Sequence, residues 1–387
     1  MPASTSLFRS DYPGPPNKRQ VQTATDLVLP SGTEVFSADT HISVTEDIWY
    51  PRFPAVMKER APRIWCVNGL PTIGIGGKSF LPEPFFAVVE HYGDMPGMSA
   101  SNIEARMADL DAEGIAAELA FPNELLVLLG YPDLEARELC FRIYNEYIAE
   151  RQAQAPGRFY AVGVINWWDA KGARTTLSEL KALGLRTFWL PLHPGKDADG
   201  KPIDYASSAM TPVWEAIEEA GLPVSHHIGE GGGSGYPCQF NAVAVGMVHQ
   251  VAPFREMFGK YILGGILDRH KSLRIGWFEG GINWVPSAIQ DAEYIYASFR
   301  HMNNLKIEHD VSYYWQKHMV SSFVVDPLGL ELIDRIGIDK VMWSTDYPHN
   351  ESSFGYSRKS LKQVVDLVGP EVTPQVVGGN VKRFLGI

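Results

Sequence analysis

Acidic and imidazole side chains recur along this chain at spacings typical of a metal site. Asp39 and His41 are two residues apart, so both side chains would point to the same face of an extended strand. The pair His226-His227, the turn Glu279-Gly280-Gly281 and the run Asp346-Tyr347-Pro348-His349 supply further candidates. Carboxylates and imidazoles bind divalent cations, and a bound cation would offset the cost of burying such charges. The pattern therefore predicts a divalent metal centre.

Each of these residues also has a purely structural interpretation. A histidine at a strand end can be a hydrogen-bonded structural group, and either member of His226-His227 could be the one that reaches a metal. Asp39 or Asp346 could cap the turn or helix that follows it, and Glu279 could accept hydrogen bonds from backbone amides. The combination at successive strand ends favours the metal centre over any of these separate roles.

The elements that would position these residues alternate between strand-like and helix-like segments. Parallel strands need crossover connections, so this alternation predicts an α/β fold with a parallel sheet. An open doubly wound sheet also fits this alternation. No GxGxxG turn follows the first strand, however, and this argues against the nucleotide-binding form of that fold. We therefore expect a single-domain (β/α)₈ TIM barrel, in which the catalytic residues sit at the C-terminal ends of the strands. The expected strands are 35–39, 115–121, 159–165, 185–190, 222–227, 273–278, 319–324 and 340–344.

The expected domain organisation is an N-terminal arm followed by the barrel. Residues 1–33 contain the run Asp11-Tyr12-Pro13-Gly14-Pro15-Pro16, in which proline fixes φ and removes amide donors, so we assign them to an arm. Residues 34–387 form the barrel domain. Within it, residues 42–98 are rich in Pro, Gly and aromatics and are expected to be a long irregular insertion after strand one. Loops of this length are often functional, so we expect a lid over the barrel mouth.

Composition limits the classes of partner. Among 387 residues, 34 Lys and Arg stand against 45 Asp and Glu, and this net charge of −11 argues against nucleic acid or an anionic membrane as partner. The chain contains no run of about 18 apolar residues, so we expect no membrane span. The three cysteines, Cys66, Cys140 and Cys238, are widely spaced, which argues against a disulfide framework and fits a reducing cytoplasm. We expect a cytoplasmic protein with a small-molecule substrate, assembled as a homo-oligomer, with a dimer as the simplest form.

Four motifs together resemble the amidohydrolase-related group of the amidohydrolase superfamily, the branch that contains aminocarboxymuconate-semialdehyde decarboxylase and γ-resorcylate decarboxylase. The similarity extends over about residues 35–387, with Ser344-x-Asp346-Tyr347-Pro348-His349 as its most specific element. Further similarity lies in Tyr144-Asn145-Glu146-Tyr147 and Gly379-Asn380-x-x-Arg383. The four motifs are Asp39-x-His41, Pro223-Val224-x-x-His227, Glu279-Gly280-Gly281 and the Ser344–His349 run.

The resemblance implies one divalent metal ion, with zinc as the first choice and manganese, magnesium or iron as alternatives. Its implied ligands are Asp39, His41, His227 and Asp346, because the Pro-Val-x-x-His spacing favours His227 over His226. The chain departs from the family pattern in two places. Asp39 stands where the family commonly has His or Glu, and Glu279 stands where the decarboxylases usually carry an acid/base histidine. Glu279 and Asp346 are therefore the expected catalytic residues.

Three functions are compatible with this pattern. The resemblance implies non-oxidative decarboxylation of an aromatic or unsaturated carboxylic acid. The replacement at Glu279 leaves open metal-dependent hydrolysis of an amide, ester, lactone or C–C bond with activated water. A non-catalytic barrel that binds a ligand is the third, and the intact ligand set argues against it. The expected substrate-binding residues are Trp49, Phe53, Arg63, Trp167, His193 and His349.

Overall fold

An eight-stranded parallel sheet forms the centre of the fold. The computed structural model describes residues 26–44, 46–67, 70–80, 101–230, 248–302, 304–349 and 351–387. Each strand of this sheet is hydrogen-bonded to the next one along the chain. The strands are β1 (Phe36–Ile42), β2 (Ala117–Pro122), β3 (Phe159–Val164), β4 (Thr187–Trp189), β5 (Val224–His227), β6 (Ile275–Phe278), β7 (Met319–Phe323) and β8 (Val341–Trp343).

The sheet closes at the C-terminal ends of its first and last strands. Thr40 of β1 forms a parallel bridge with Tyr347, just beyond β8. The His41 amide donates to the Tyr347 carbonyl at 2.6 Å, and the Asp346 amide donates to the Asp39 carbonyl at 2.9 Å. The expected (β/α)₈ barrel is confirmed, and its closure brings the two ends that carry Asp39 and Asp346 side by side.

Helices follow the strands and cover the barrel. Helix Leu134–Gln152 illustrates the packing: Asp133 caps its first turn, and Cys140, Phe141, Tyr144 and Ile148 are buried on one face. The main helices are Ile103–Glu113, Leu134–Gln152, Ala170–Ala182, Thr211–Ala220, Ala252–Ile262, Trp284–Phe299, Val311–His318 and Ser357–Val368. Shorter ones are Trp49–Arg52, Leu125–Leu128, Ile266–Arg269, Pro327–Glu331, Ile333–Ile336 and Asn380–Leu385, with 3-10 turns at Ala55–Arg60, Ser208–Met210 and Ile338–Lys340 and a π turn at Gln375–Gly379.

The insertion after β1 is more regular than we expected. Its described part contains a three-stranded antiparallel sheet made of Arg63–Val67, Leu70–Ile75 and Lys78–Ser79. Gly76 and Gly77, with φ of 58° and 76°, form the two-residue turn between the last two strands, as the twist of a tight hairpin requires. The expectation of an irregular segment was wrong here because these glycines permit a hairpin. Residues 81–100 of the insertion and 1–25 of the arm lie outside the described residues.

No described helix is both long and apolar enough to cross a membrane.

Candidate metal centre

Four side chains from three strand ends meet at the C-terminal mouth of the barrel. Asp39 and His41 come from β1, His227 ends β5, and Asp346 follows β8. The His41 Nε2 lies 3.2 Å from the Asp346 Oδ1, and the His227 Nε2 lies 3.5 Å from the Asp39 Oδ1. All four residues are buried. The structure therefore brings the four candidate ligands to one mouth, in two groups that share His41: Asp39 with His41 and His227, and His41 with Glu279, Asp346 and His349.

The polar atoms of this cluster fit a divalent cation. Within the described residues, both carboxylate oxygens of Asp39 and of Asp346, both ring nitrogens of His41, and the His227 Nε2 are buried and make no hydrogen bond of suitable geometry. Several of these atoms nevertheless lie close to an opposite partner, such as the His41 Nε2 at 3.2 Å from the Asp346 Oδ1. Buried polar atoms are nearly always hydrogen-bonded, and leaving several unpaired in one place is costly. One cation would satisfy the facing carboxylate oxygens and one ring nitrogen of each histidine, since carboxylate oxygen and imidazole nitrogen are its preferred donors.

The charged groups of the cluster shift one another's pKa values. Burial lowers the pKa of His227, but the negative charges of Asp39 and Glu279 outweigh burial and raise it well above its usual value. Burial also raises the pKa of Asp39. The His227 Nδ1 lies 2.8 Å from the Ile228 carbonyl, which can only accept, so this nitrogen carries a proton. The His227 Nε2 is therefore the nitrogen that faces the carboxylates and could bind a cation.

His226 has a different environment from His227. Successive residues of a strand point to opposite faces, so only one of the pair can face the cluster. The His226 Nδ1 lies 2.7 Å from the Leu190 carbonyl, and its Nε2 lies 2.7 Å from the Tyr261 hydroxyl. Burial lowers the pKa of His226 to about 3, so the ring is neutral. His226 thus packs structurally between the sheet and helix Ala252–Ile262.

Glu279 lies within reach of two of these histidines. Its Oε2 is 2.9 Å from the His227 Nε2 and 3.3 Å from the His41 Nε2. Burial raises the pKa of Glu279, but its interactions with His227 and His41 outweigh burial and hold the pKa well below its usual range. Glu279 is therefore a carboxylate at the edge of the cluster, placed either to accept a proton or to serve as a further ligand.

His349 completes the mouth on the side of Asp346. Its Nδ1 is 3.0 Å from the Asp346 Oδ1 and 4.0 Å from the Glu279 Oε1, and its ring stacks on His41 with centroids 3.8 Å apart. Burial lowers the pKa of His349, but the charges of Asp346 and Glu279 raise it to about 10. His349 is the one expected substrate-binding residue that lies within the cluster itself.

Two residues of the cluster have unusual backbone conformations. Glu279 has a φ of 65° and Asp346 a φ of 56°, in the left-handed region that favours glycine. Such conformations cost about 1–3 kcal/mol each and persist only where surrounding contacts enforce them, which occurs most often at functional sites. The strain turns both carboxylates into the mouth.

A buried ion pair supports the end of β1, and the sequence analysis missed it. Arg106 donates to both oxygens of Glu118 at 2.8 and 2.7 Å, to the His41 carbonyl at 2.6 Å and to the Thr40 hydroxyl at 3.1 Å. Its guanidinium also lies over the Tyr347 ring, 4.9 Å from the centroid. An arginine three residues after Ile103, on the buried face of its helix, was the signal that could have revealed it.

Three of the expected substrate-binding residues, all aromatic, lie in the core. The Trp49 indole is fully buried and donates to the Cys140 carbonyl at 3.0 Å. Trp167 is also fully buried and donates to the Pro194 carbonyl at 2.9 Å. Phe53 is buried as well. All three side chains are packed in the interior of the fold.

The remaining expected residues, Arg63 and His193, lie nearer the surface. Arg63 is half exposed, forms an ion pair with Asp47 and lies over the Tyr50 ring, 4.1 Å from the centroid. His193 is exposed, and its Nδ1 lies 3.9 Å from the buried carboxylate of Glu230. Neither side chain is part of the described cluster.

Comparison with known proteins agrees with this architecture. The profile of the family described as Amidohydrolase matches residues 83–387. No curated protein sequence matches the chain. An amidohydrolase structure from Mycobacterium avium subsp. paratuberculosis K-10 has a TM-score of 0.71 at 19% identity, covering 92% of this chain and 100% of that one.

Two decarboxylase structures also share the fold. A 2,6-dihydroxybenzoate decarboxylase from Rhizobium has a TM-score of 0.65 at 16% identity, covering 92% of this chain and 99% of that one. A 5-carboxyvanillate decarboxylase from Novosphingobium aromaticivorans DSM 12444, complexed with manganese and 4-hydroxy-3-methoxy-5-nitrobenzoic acid, has a TM-score of 0.67 at 13% identity, covering 95% of this chain and 99% of that one. At these identities the comparison establishes a common fold.

Proposed function

The chain belongs to the amidohydrolase family, and on that basis we propose that it is a metal-dependent decarboxylase of an aromatic or unsaturated carboxylic acid. The observation that carries the proposal is the buried cluster of Asp39, His41, His227 and Asp346, most of whose side-chain polar atoms make no hydrogen bond of suitable geometry among the described residues. Two structures with this fold are decarboxylases of hydroxylated aromatic acids, which supports the reaction type.

We propose one divalent cation on these four residues. Two imidazoles and two carboxylates suit zinc, and they also suit manganese, which is present in the 5-carboxyvanillate decarboxylase structure. When bound, the cation would polarise a substrate oxygen and stabilise negative charge that develops during the reaction. Zinc is the first ion to test, with manganese, magnesium and iron compared beside it.

Glu279 is the proposed acid/base. In decarboxylation the bond to the carboxyl carbon breaks, CO₂ leaves, and the electron pair stays on the ring or alkene carbon, which must take up a proton. Glu279 would enter the cycle as a carboxylate, placed beside His227 and His41 at 2.9 and 3.3 Å. It would first accept a proton, from a substrate hydroxyl or carboxyl group, and then deliver it to that carbon. Asp346 lies beside His41 and His349, and it would contact the substrate's reacting carboxyl group from the side opposite Glu279.

Hydrolysis is the second candidate, and the observation that favours it is that position 279 carries a carboxylate within 2.9 Å of His227. A carboxylate at this position can accept a proton directly from an attacking water and pass it to the leaving group of an amide, ester or lactone. A barrel that binds a ligand without catalysis is the third, and the unpaired polar atoms of the cluster count against it.

One experiment separates these candidates. The purified protein is loaded in turn with zinc, manganese, magnesium and iron, and metal content is measured by mass spectrometry. Each form is then incubated with 2,6-dihydroxybenzoate, 5-carboxyvanillate and related hydroxylated acids, and CO₂ release is measured beside a panel of esters, amides and lactones. CO₂ release that requires metal supports decarboxylation, whereas turnover of the second panel alone would establish hydrolysis. Stoichiometric metal without turnover of either panel would count for the binding protein.

We also propose a cytoplasmic homodimer. Large apolar side chains are exposed near the end of helix Trp284–Phe299, namely Tyr294, Ile295, Phe299 and Met302, which supports a protein partner on this face. The buried free thiol of Cys140 is compatible with a reducing compartment. Light scattering of the purified chain tests the dimer, and cell fractionation tests the compartment.

A further inference from the structure

We propose that Asp326 is a positioning residue for Glu279, holding the turn that aims this carboxylate at the metal cluster. The inference rests on the acid/base role proposed for Glu279. Asp326 follows β7 and lies beside the turn that follows β6, so the two are neighbours at the barrel mouth.

The turn after β6 is strained where Glu279 stands. Its φ of 65° lies in the left-handed region, although the residue is not glycine. Gly280 and Gly281 follow it in tight packing. A Cβ at Gly280 would lie 2.4 Å from the Phe254 ring, and a Cβ at Gly281 would lie 3.0 Å from the Asp326 Oδ2. The turn can therefore approach its surroundings closely only because these two residues lack side chains.

Asp326 is the main anchor of this turn. Its Oδ2 accepts hydrogen bonds from the Ile282 amide at 2.7 Å, the Asn283 amide at 2.8 Å and the Asn283 side chain at 3.0 Å. Its Oδ1 accepts from the Gly329 amide at 2.8 Å. The carboxylate is 4% exposed, so solvent cannot replace these bonds. Hydrogen bonds to a buried charge are stronger than neutral ones, which suits an anchor that must offset backbone strain.

Two serines of β7 also form hydrogen bonds to the backbone of this turn. The Glu279 amide donates to the Ser322 hydroxyl at 3.0 Å, and the Ser321 hydroxyl donates to the Gly281 carbonyl at 2.9 Å. Together with Asp326 they bind the backbone on both sides of Glu279. None of these bonds involves the Glu279 carboxylate, so its oxygens stay free to face His41 and His227.

Asp326→Asn is the test, because it keeps the shape but places an amide NH₂ group among backbone N–H donors. We expect kcat to fall about 10- to 100-fold, with metal content unchanged. This is the range typical for loss of a residue that orients a functional side chain through hydrogen bonds. Asp339→Asn, an exposed carboxylate paired with Lys340, is the matched control and should leave kcat unchanged. In hydrogen exchange, the peptide that spans residues 279–283 should exchange faster in Asp326→Asn than in the control.

A double-mutant cycle distinguishes positioning from a general structural role. If Asp326 acts through Glu279, then Asp326→Asn should have little further effect on kcat in a Glu279→Gln background. An equal fold-loss in both backgrounds would overturn the proposal. If Asp326→Asn does not fold, Ser322→Ala takes its place, with a several-fold loss expected in the wild-type background only. The cycle runs on whichever turnover the chain shows. The hydrogen-exchange arm needs no activity, so unchanged exchange refutes the positioning role independently of the proposed function.

Discussion

Replacing Arg106 with methionine should loosen the metal site as well as destabilise the protein. Arg106 and Glu118 are both fully buried, and the arginine also binds the His41 carbonyl and the Thr40 hydroxyl. In Arg106→Met, Glu118 becomes an uncompensated buried charge, and the backbone beside a proposed ligand loses its donor. The ion pair thus links stability of the barrel to the geometry of β1.

The two effects have different magnitudes and can be separated. Removing one partner of a buried ion pair costs about 3–5 kcal/mol of unfolding free energy. Loss of an outer-shell partner typically weakens metal affinity about 10- to 100-fold. In Arg106→Met/Glu118→Leu no buried charge is left unpaired, so stability should largely return. Metal affinity should remain low in that double variant, because the donor to the His41 carbonyl is still missing.

Denaturant unfolding measures the first effect, and competition with a chelator of known zinc affinity measures the second. Arg158→Met is the control, since Arg158 forms a more exposed ion pair with Asp111 and its loss should cost at most about 1 kcal/mol. If the double variant binds zinc as tightly as the wild type, the ion pair only stabilises the fold and the reasoning about β1 is refuted.

The remaining predictions concern catalysis, metal, pH and the lid. Glu279→Gln should retain metal but lower kcat/KM by about 10²- to 10⁴-fold; loss of the ion would identify Glu279 as a ligand, and unchanged turnover would make it structural. Asp39→Asn and His227→Ala should each lower the metal content of purified protein along with the rate, so full metal occupancy in either would remove that residue from the ligand set. Since burial lowers the pKa of His226 from 6.5 to about 3, the unfolded chain binds a proton that the folded one does not, and stability should fall as pH drops below 6.5. Urea midpoints should therefore depend less on pH in His226→Gln, and equal slopes would contradict this. An active-site ligand should slow hydrogen exchange in residues 42–98, and unchanged exchange there would refute the lid.

The arrangement of the strands, and the meeting of the candidate ligands at one mouth, were predictable from the sequence. Strand periodicity is local, so Asp39 and His41, two residues apart, had to share a face. The rule that catalytic residues gather at the C-terminal ends of barrel strands then brought His227, Glu279 and Asp346 to the same mouth. Chain separation of hundreds of residues did not matter, because the order of strands in a barrel follows the order in the chain.

Other features depended on which surfaces meet in three dimensions. Trp49 and Trp167 were expected to bind substrate, and the folded structure packs both indoles in its interior. Only the folded barrel brings Arg106 to the ends of β1 and β2, and only there does Asp326 meet the turn that carries Glu279. The sequence alone determined where the strands and helices lie and which of their side chains point inward, since both follow from local periodicity. Tertiary structure decided how the candidate ligands are held, because hydrogen bonds between segments that are distant in the chain leave no repeating pattern in the sequence.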